Sequence, residues 1–304
     1  MYSGSTHTLV PGAASTSLQR PAHGIWWHTA RFARHKPLGM AGAVVTGVFI
    51  VLAVAGPLLA PFNPYALRPE HVLEAPNATF ILGTDDLGRD QLSRIIYGTR
   101  ASLYVGVLGA LAGSMLGGII GLITAFKGGV ADSAAQRVMD VLMSFPMMVL
   151  ALAMVAALGP SLLNAAIAVS VPFIPRSART IRSRALSVKE AMYIESTKAM
   201  GCSDRRTMLY HMLPNCLAPW LVVCTVQIAS GVLVEASLSF LGLGVPPPEP
   251  SWGNMLVGAA TKYVEAAPWM AIFPGLVITV SVFSFSLLGD ALRDVLDPRI
   301  RTDR

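Results

Sequence analysis

Three stretches of this 304-residue chain carry no charged side chain: residues 38–60, 101–126 and 268–289. Each reaches the roughly 20 residues that a helix needs to cross a bilayer core. Three further stretches fit less well. Residues 138–158 contain Asp140 near their start, 162–175 are short and end in Pro172 and Pro175, and 217–243 contain Glu235. The reading is an all-α integral membrane protein with six spans. Composition agrees: 53% of residues are hydrophobic and only 13% charged, where a soluble domain carries about a quarter.

Charge asymmetry gives an orientation. Residues 1–37 hold Arg20, Arg31, Arg34 and Lys36 and no acid. Residues 176–206 hold eight Lys or Arg against Glu190, Glu195 and Asp204. The segments 61–100 and 242–268 each carry one more acid than base. The positive-inside rule therefore puts the N-terminus and the 176–206 segment in the cytoplasm. Six spans then return the C-terminus to the same side. The net charge of +6 is accounted for by topology, so no nucleic-acid partner is expected.

The expected organisation is a cytoplasmic tail and interfacial helix at 1–37, a first span at 38–60 and an extracytoplasmic segment at 61–100. A transmembrane core at 101–289 follows, with a cytoplasmic loop at 176–214, then a cytoplasmic tail at 290–304. The first 24 residues are rich in Ser, Thr, Pro and Gly, which predicts disorder. Residues 25–36 interleave Trp26, Trp27 and Phe32 with Arg31, Arg34 and Lys36, as a helix lying in the interface does. The apolar run at 38–60 exceeds the 7–15 residues of a signal-peptide core, so no cleaved leader is expected. Cys202, Cys216 and Cys224 are odd in number and predict neither disulfides nor a zinc site.

Local patterns refine this outline. Gly109, Gly113, Gly117 and Gly121 recur every four residues and line one helix face, which lets backbones approach closely in lipid; the face either packs tightly or lines a solute path. Pro146 and Pro172 predict bends in the third and fourth spans. Asp85 and Asp86 follow a turn signalled by Gly83, and are expected to cap a helix near Arg89. Leu92, Ile95, Ile96 and Thr99 share a face of that helix, which is expected to lie flat outside the membrane. The acidic cluster lacks the ligand spacing of a calcium loop.

The cytoplasmic loop has its own grammar. Helix-forming residues run from Lys189 to Met200, and Gly201 is a natural left-handed stop. Ser203 or Asp204 can cap a second helix, and Pro214 is expected to end it. The sequence between Glu195 and Gly201 is Glu-Ser-Thr-Lys-Ala-Met-Gly; nine residues later comes His211-Met212-Leu213-Pro214.

This spacing resembles the coupling loop of binding-protein-dependent ABC importers, Glu-Ala-Ala, three residues, Gly, nine residues, Ile-x-Leu-Pro. Residues 82–90, Leu-Gly-Thr-Asp-Asp-Leu-Gly-Arg-Asp, resemble a signature of the C-type membrane subunits of dipeptide, oligopeptide and nickel permeases. Residues 237–253 and 289–298 resemble further segments of the same subunits. The resemblance covers residues 35–301. It departs at His211, where a hydrophobic residue is usual, and at Ser196-Thr197, where Ala-Ala is usual.

The resemblance implies a type I ABC importer permease fold in a bacterial plasma membrane. It implies a homologous permease subunit, two ATPase subunits and an extracytoplasmic solute-binding protein as partners, with ATP and magnesium on the ATPases. The implied ATPase-coupling residues are Glu190, Glu195, Ser196, Thr197, Gly201, Asp204, Arg205, His211, Leu213 and Pro214. Peptides are the implied solute; glutathione and nickel chelates use similar subunits.

The chain has no Gly-x4-Gly-Lys-Ser/Thr loop, and so no phosphate cradle of its own. It shows no nucleophile–base pair, so catalysis, bound cofactors and metals are not expected. Glu235 is an intramembrane carboxylate, which asks for a role: it either faces the path or bonds a neighbouring helix or partner. Asp140 is expected to cap the third span. A secondary carrier would show inverted repeats and mid-membrane ionisable residues, and neither is evident.

Overall fold

The computed structural model describes residues 36–296. The interfacial helix expected at 25–36 lies outside them but for Lys36, as do the first 24 residues and the end of the C-terminal tail. The described residues fold into helices: α1 Pro37–Leu59, α2 Gln91–Lys127, α3 Gly129–Ser144, α4 Met147–Leu158, α5 Leu162–Lys189, α6 Met192–Ala199, α7 Asp204–Phe240, α8 Trp252–Thr261 and α9 Trp269–Leu296. A short 3-10 turn spans Pro69–His71, and the one strand-like pairing among the described residues is a bridge between Thr84 and Asp90.

Four helices are long and apolar enough to cross a membrane: α1, α2, α7 and α9. The bent pair α3 and α4 supplies a fifth span if taken as one; α5 is uncharged only over 162–175, and that stretch is the sixth apolar segment. The fold is that of a multi-pass, all-α membrane protein.

Three expectations change. Residues 138–158 are not one helix, because the chain turns through 92° between α3 and α4. Pro146 forces this: Phe145 before it is extended at ψ 135°, as residues preceding proline tend to be. Asp140 consequently lies inside α3 rather than at a helix start, and pairs with Arg179 of α5. By contrast, α5 runs through Pro172 and Pro175 for 28 residues, so the short fourth span is the first half of a longer rod. The helix expected to lie flat near Arg89 is instead the opening of α2, which continues unbroken for 37 residues.

The N-terminus of α2 is fixed by residues 82–90. Asp90, not Asp85 or Asp86, is its cap, accepting from the Ser93 amide at 2.8 Å and the Ser93 hydroxyl at 2.6 Å. Asp85 instead folds the preceding turn, accepting from the amides of Leu87 and Arg89, each at 2.9 Å, and from Arg89 Nε at 2.7 Å. The Trp269 indole donates to the Thr84 carbonyl at 3.1 Å and Gln91 Nε2 to the Met270 carbonyl at 3.2 Å. This extramembrane knot thus holds the starts of α2 and α9 together.

The centre of the fold is the pairing of α2 with α5. A β-carbon added at Gly113, Gly117 or Gly121 would overlap the carbonyl oxygens of Ser170, Ile174 and Ala178 respectively, and one at Gly109 would stand 3.0 Å from that of Ala166. Two four-residue ladders therefore interlock, and the glycine face is used for close helix packing. A small-residue core with Val105, Ala110, Val169 and Phe173 grows around this seam. A second cluster joins Phe49, Trp252, Ile278 and Phe285 from α1, α8 and α9.

Candidate functional site

The 190–214 loop is built on the ends of α2 and α5. Lys189, the last residue of α5, donates to the carbonyls of Ala125 and Phe126 at 3.0 and 2.7 Å. It thereby satisfies acceptors that the C-terminus of α2 leaves open. Arg182 grips Asp132 of α3 through two hydrogen bonds, at 2.6 and 2.5 Å. The loop therefore leaves a braced junction of three helices.

Its two helical parts, α6 and the first turns of α7, have distinct faces. Ile194 and Thr197 are buried on α6, and Thr207 and Met212 on α7. Ile194 and Met212 join Leu122, Ile181, Ala185 and Cys216 in a third apolar cluster. The opposite face is open: Glu190, Glu195, Ser196, Gly201, Asp204, Arg205 and Pro214 are exposed, and His211 and Leu213 half-exposed. Large apolar side chains stand out among these charges, Met192 at 81%, Met200 at 75% and Tyr210 at 74% exposure.

Gly201 turns the chain at φ +77°, a conformation that glycine adopts without steric cost. Ser203 precedes the next helix with its carbonyl accepting from Thr207, but its side chain makes no cap bond. Pro214 does not end that helix. It sits at the start of Leu213–Phe240, inside the continuous rod α7, after a wide π turn at Thr207–Met212. The loop thus passes directly into a membrane span. The departure at His211 also finds an explanation: the fully buried apolar anchor is its neighbour Met212, while the His211 carbonyl accepts from Asn215 at 2.8 Å.

Glu235 lies inside the helix bundle of this chain. It is wholly buried, with Oε1 accepting from the Ser239 hydroxyl at 2.7 Å. Ser102 of α2 and Ser251 at the cap of α8 are fully buried beside it. These serines have further roles: Ser102 Oγ accepts from the Trp252 amide at 3.1 Å, Ser239 Oγ from the Val245 amide at 3.2 Å, and Ser251 completes a capping box with Asn254. The carboxylate is therefore the centre of a joint between α2, α7 and α8. The sequence signalled Glu235, with Ser239 one turn on, but not this cradle, since Ser102 lies more than a hundred residues away in the chain.

The comparisons with known proteins bear on this arrangement. Residues 96–302 match the family described as binding-protein-dependent transport system inner membrane component. The chain belongs to this family. Residues 24–76 match the N-terminal transmembrane domain of oligopeptide transport permease C. A dipeptide transport system permease protein of Alkalihalophilus pseudofirmus is 37% identical over 97% of each chain. A di/tripeptide transport system permease protein of Pseudomonas aeruginosa is 39% identical over 88% of this chain and 90% of its own length. A glutathione transport system permease protein of Pectobacterium atrosepticum is 41% identical over 86% and 88%. The chain is thus a C-type permease component of the peptide ABC importer family, and its contribution is a membrane passage rather than a reaction.

Proposed function

We propose that this chain forms half of the translocation path of an ATP-driven peptide importer in a bacterial plasma membrane, beside a homologous permease subunit. Two ATPase subunits dock on the 190–214 loops, and a solute-binding protein delivers the peptide from outside. Both termini and the loop face the cytoplasm, as the basic residues favour. The observation that carries the reading is the loop itself: one face is locked into the bundle by Ile194 and Met212, the other offers Met192, Met200 and Tyr210 among charges. Apolar anchors within a charged rim are what a protein partner grips.

The mechanism follows from rigidity. The loop joins α5 and α7 without a flexible linker, and Lys189 ties it to α2. Closure of the ATPases on nucleotide would move these helices together as one lever. ATP then supplies the differential affinity that shifts the subunit pair from inward- to outward-facing. Di- and tripeptides are the favoured solutes, in line with the peptide relatives; glutathione is the second reading, since a glutathione permease shares 41% identity.

The test is reconstitution of the complete complex in liposomes. Uptake of a labelled dipeptide should require ATP and the solute-binding protein, and should survive collapse of the proton gradient. Uptake that instead follows the proton gradient without ATP would mark a secondary carrier.

A further inference from the structure

The arginines of α5 divide into two sets. Arg179 pairs with Asp140 and Arg182 with Asp132, both carboxylates of α3. Arg176 and Arg184 lie eight residues apart and point the other way, into a cavity of about 790 Å³ between α5, α7 and α9. Arg293 of α9 lines the same cavity. Among the described residues no carboxylate lines it, and none of their ion pairs involves these three arginines. Among the described residues the hydrogen-bond partner of Arg184 is neutral, the Asn215 carbonyl at 3.3 Å.

Thr180 and Asn215 apart, the rest of the lining is apolar and continues along α7 through Val222, Val223 and Val226. The cavity therefore carries Arg184 at the level where the basic loop meets the membrane, Arg176 two turns further along α5, and an apolar wall on α7 that runs into the span. Three exposed guanidiniums with no acid among the described lining residues are open to an anion, and their forked donors match phosphate oxygens. The valine wall needs hydrocarbon. One molecule supplies both.

We propose that this cavity holds the headgroup phosphate of an anionic phospholipid, with an acyl chain laid along the α7 valines. Basic pockets between membrane helices recognise such headgroups. Assignment to the cytoplasmic leaflet rests on the orientation proposed above; headgroup binding itself does not, so the two fail separately. The lipid would fill the joint between α5, α7 and α9 beside Pro214, where the coupling loop enters the membrane, and would stiffen the lever there.

The experiment is native mass spectrometry of the complete complex, titrated with phosphatidylglycerol or phosphatidylethanolamine. The wild type should retain phosphatidylglycerol preferentially. The double variant Arg176→Gln/Arg184→Gln should bind it more weakly by roughly thirtyfold, about fivefold for each basic residue lost. Arg100→Gln, at an exposed arginine elsewhere, should change nothing. Arg176→Lys/Arg184→Lys keeps both charges and should keep most of the binding, which guards against a variant that fails to assemble. The proposal is overturned if both lipids bind equally, if the glutamine variant retains phosphatidylglycerol, or if Arg100→Gln loses as much. It is also overturned if millimolar inorganic phosphate or dipeptide displaces the lipid, because the site would then belong to a soluble anion.

Discussion

The ammonium of Lys189 lies 2.7 Å from the carbonyl oxygen of Phe126, joining the entrance of the 190–214 loop to the C-terminal end of α2. A second bond, to the Ala125 carbonyl at 3.0 Å, makes this a helix cap built from a distant residue. The loop is thereby mechanically continuous with the helix that carries the glycine seam. Replacing Lys189 with Met removes both donors and strands two acceptors, at a cost of about 1–3 kcal/mol. The variant complex should melt at lower temperature in detergent and lose transport more than ATP hydrolysis. Equal loss of both activities, with unchanged melting, would show that the bond transmits nothing.

The glycine seam gives a sharper contrast. Gly117→Ala places a methyl group against the Ile174 carbonyl, whereas Gly275 on α9 has no atom within 4 Å of its added β-carbon. Gly117→Ala should destabilise the subunit by about 1–3 kcal/mol, the range for overpacking, and Gly275→Ala should be neutral. Thermal unfolding of the two purified variants compares them directly. Matching melting temperatures would contradict the close packing of α2 on α5.

Gly201 isolates backbone conformation from packing, since its φ of +77° is accompanied by open space around the added β-carbon. A β-branched residue is strained there, by about 1–2 kcal/mol. Gly201→Val should leave membrane insertion intact, re-aim the second half of the loop, and reduce co-purification of the ATPase. Full recruitment and full uptake would remove Gly201 from the docking surface.

Glu235 tests whether burial or transport explains an intramembrane acid. Glu235→Gln retains size and a carbonyl that accepts from Ser239, so the complex should stay intact and uptake of cationic and neutral peptides should change by the same factor. Glu235→Leu loses the acceptor for the serine cradle and should lower recovery of the complex. A selective fall in cationic uptake with Glu235→Gln would restore a path-lining role.

The legible and illegible parts of this chain divide along a physical line. The first span was read as 38–60 and α1 is Pro37–Leu59, because an uncharged run that must cross lipid leaves little freedom. The last span was readable for the same reason. The start of α2 was not: Arg94 and Arg100 made 91–100 look extramembrane, yet a helix capped at Asp90 has no reason to stop there. Pro146 broke its helix while Pro172 and Pro175 did not, and only neighbours separate the cases, since Phe173 is held in a packed cluster and Ala178 lies against Gly121. In the loop, the glycine turn and the exposed charges were readable. The anchors Ile194, Met212 and Lys189 were not, since their partners on α2, Leu122, Ala125 and Phe126, lie some sixty to ninety residues away in sequence. The spacing of Ile194 and Thr197, three apart on a short helix, was the available hint.

The central claim is that Met200 and its neighbours contact an ATPase while the 61–90 segment faces the solute-binding protein. The most direct measurement places a photo-crosslinking amino acid at Met200 or at Ile81, both exposed, in the complete complex within intact cells. The account predicts that position 200 captures the ATPase and position 81 the solute-binding protein. Capture of the ATPase from position 81, or of neither partner from position 200 in an assembled complex, would contradict it.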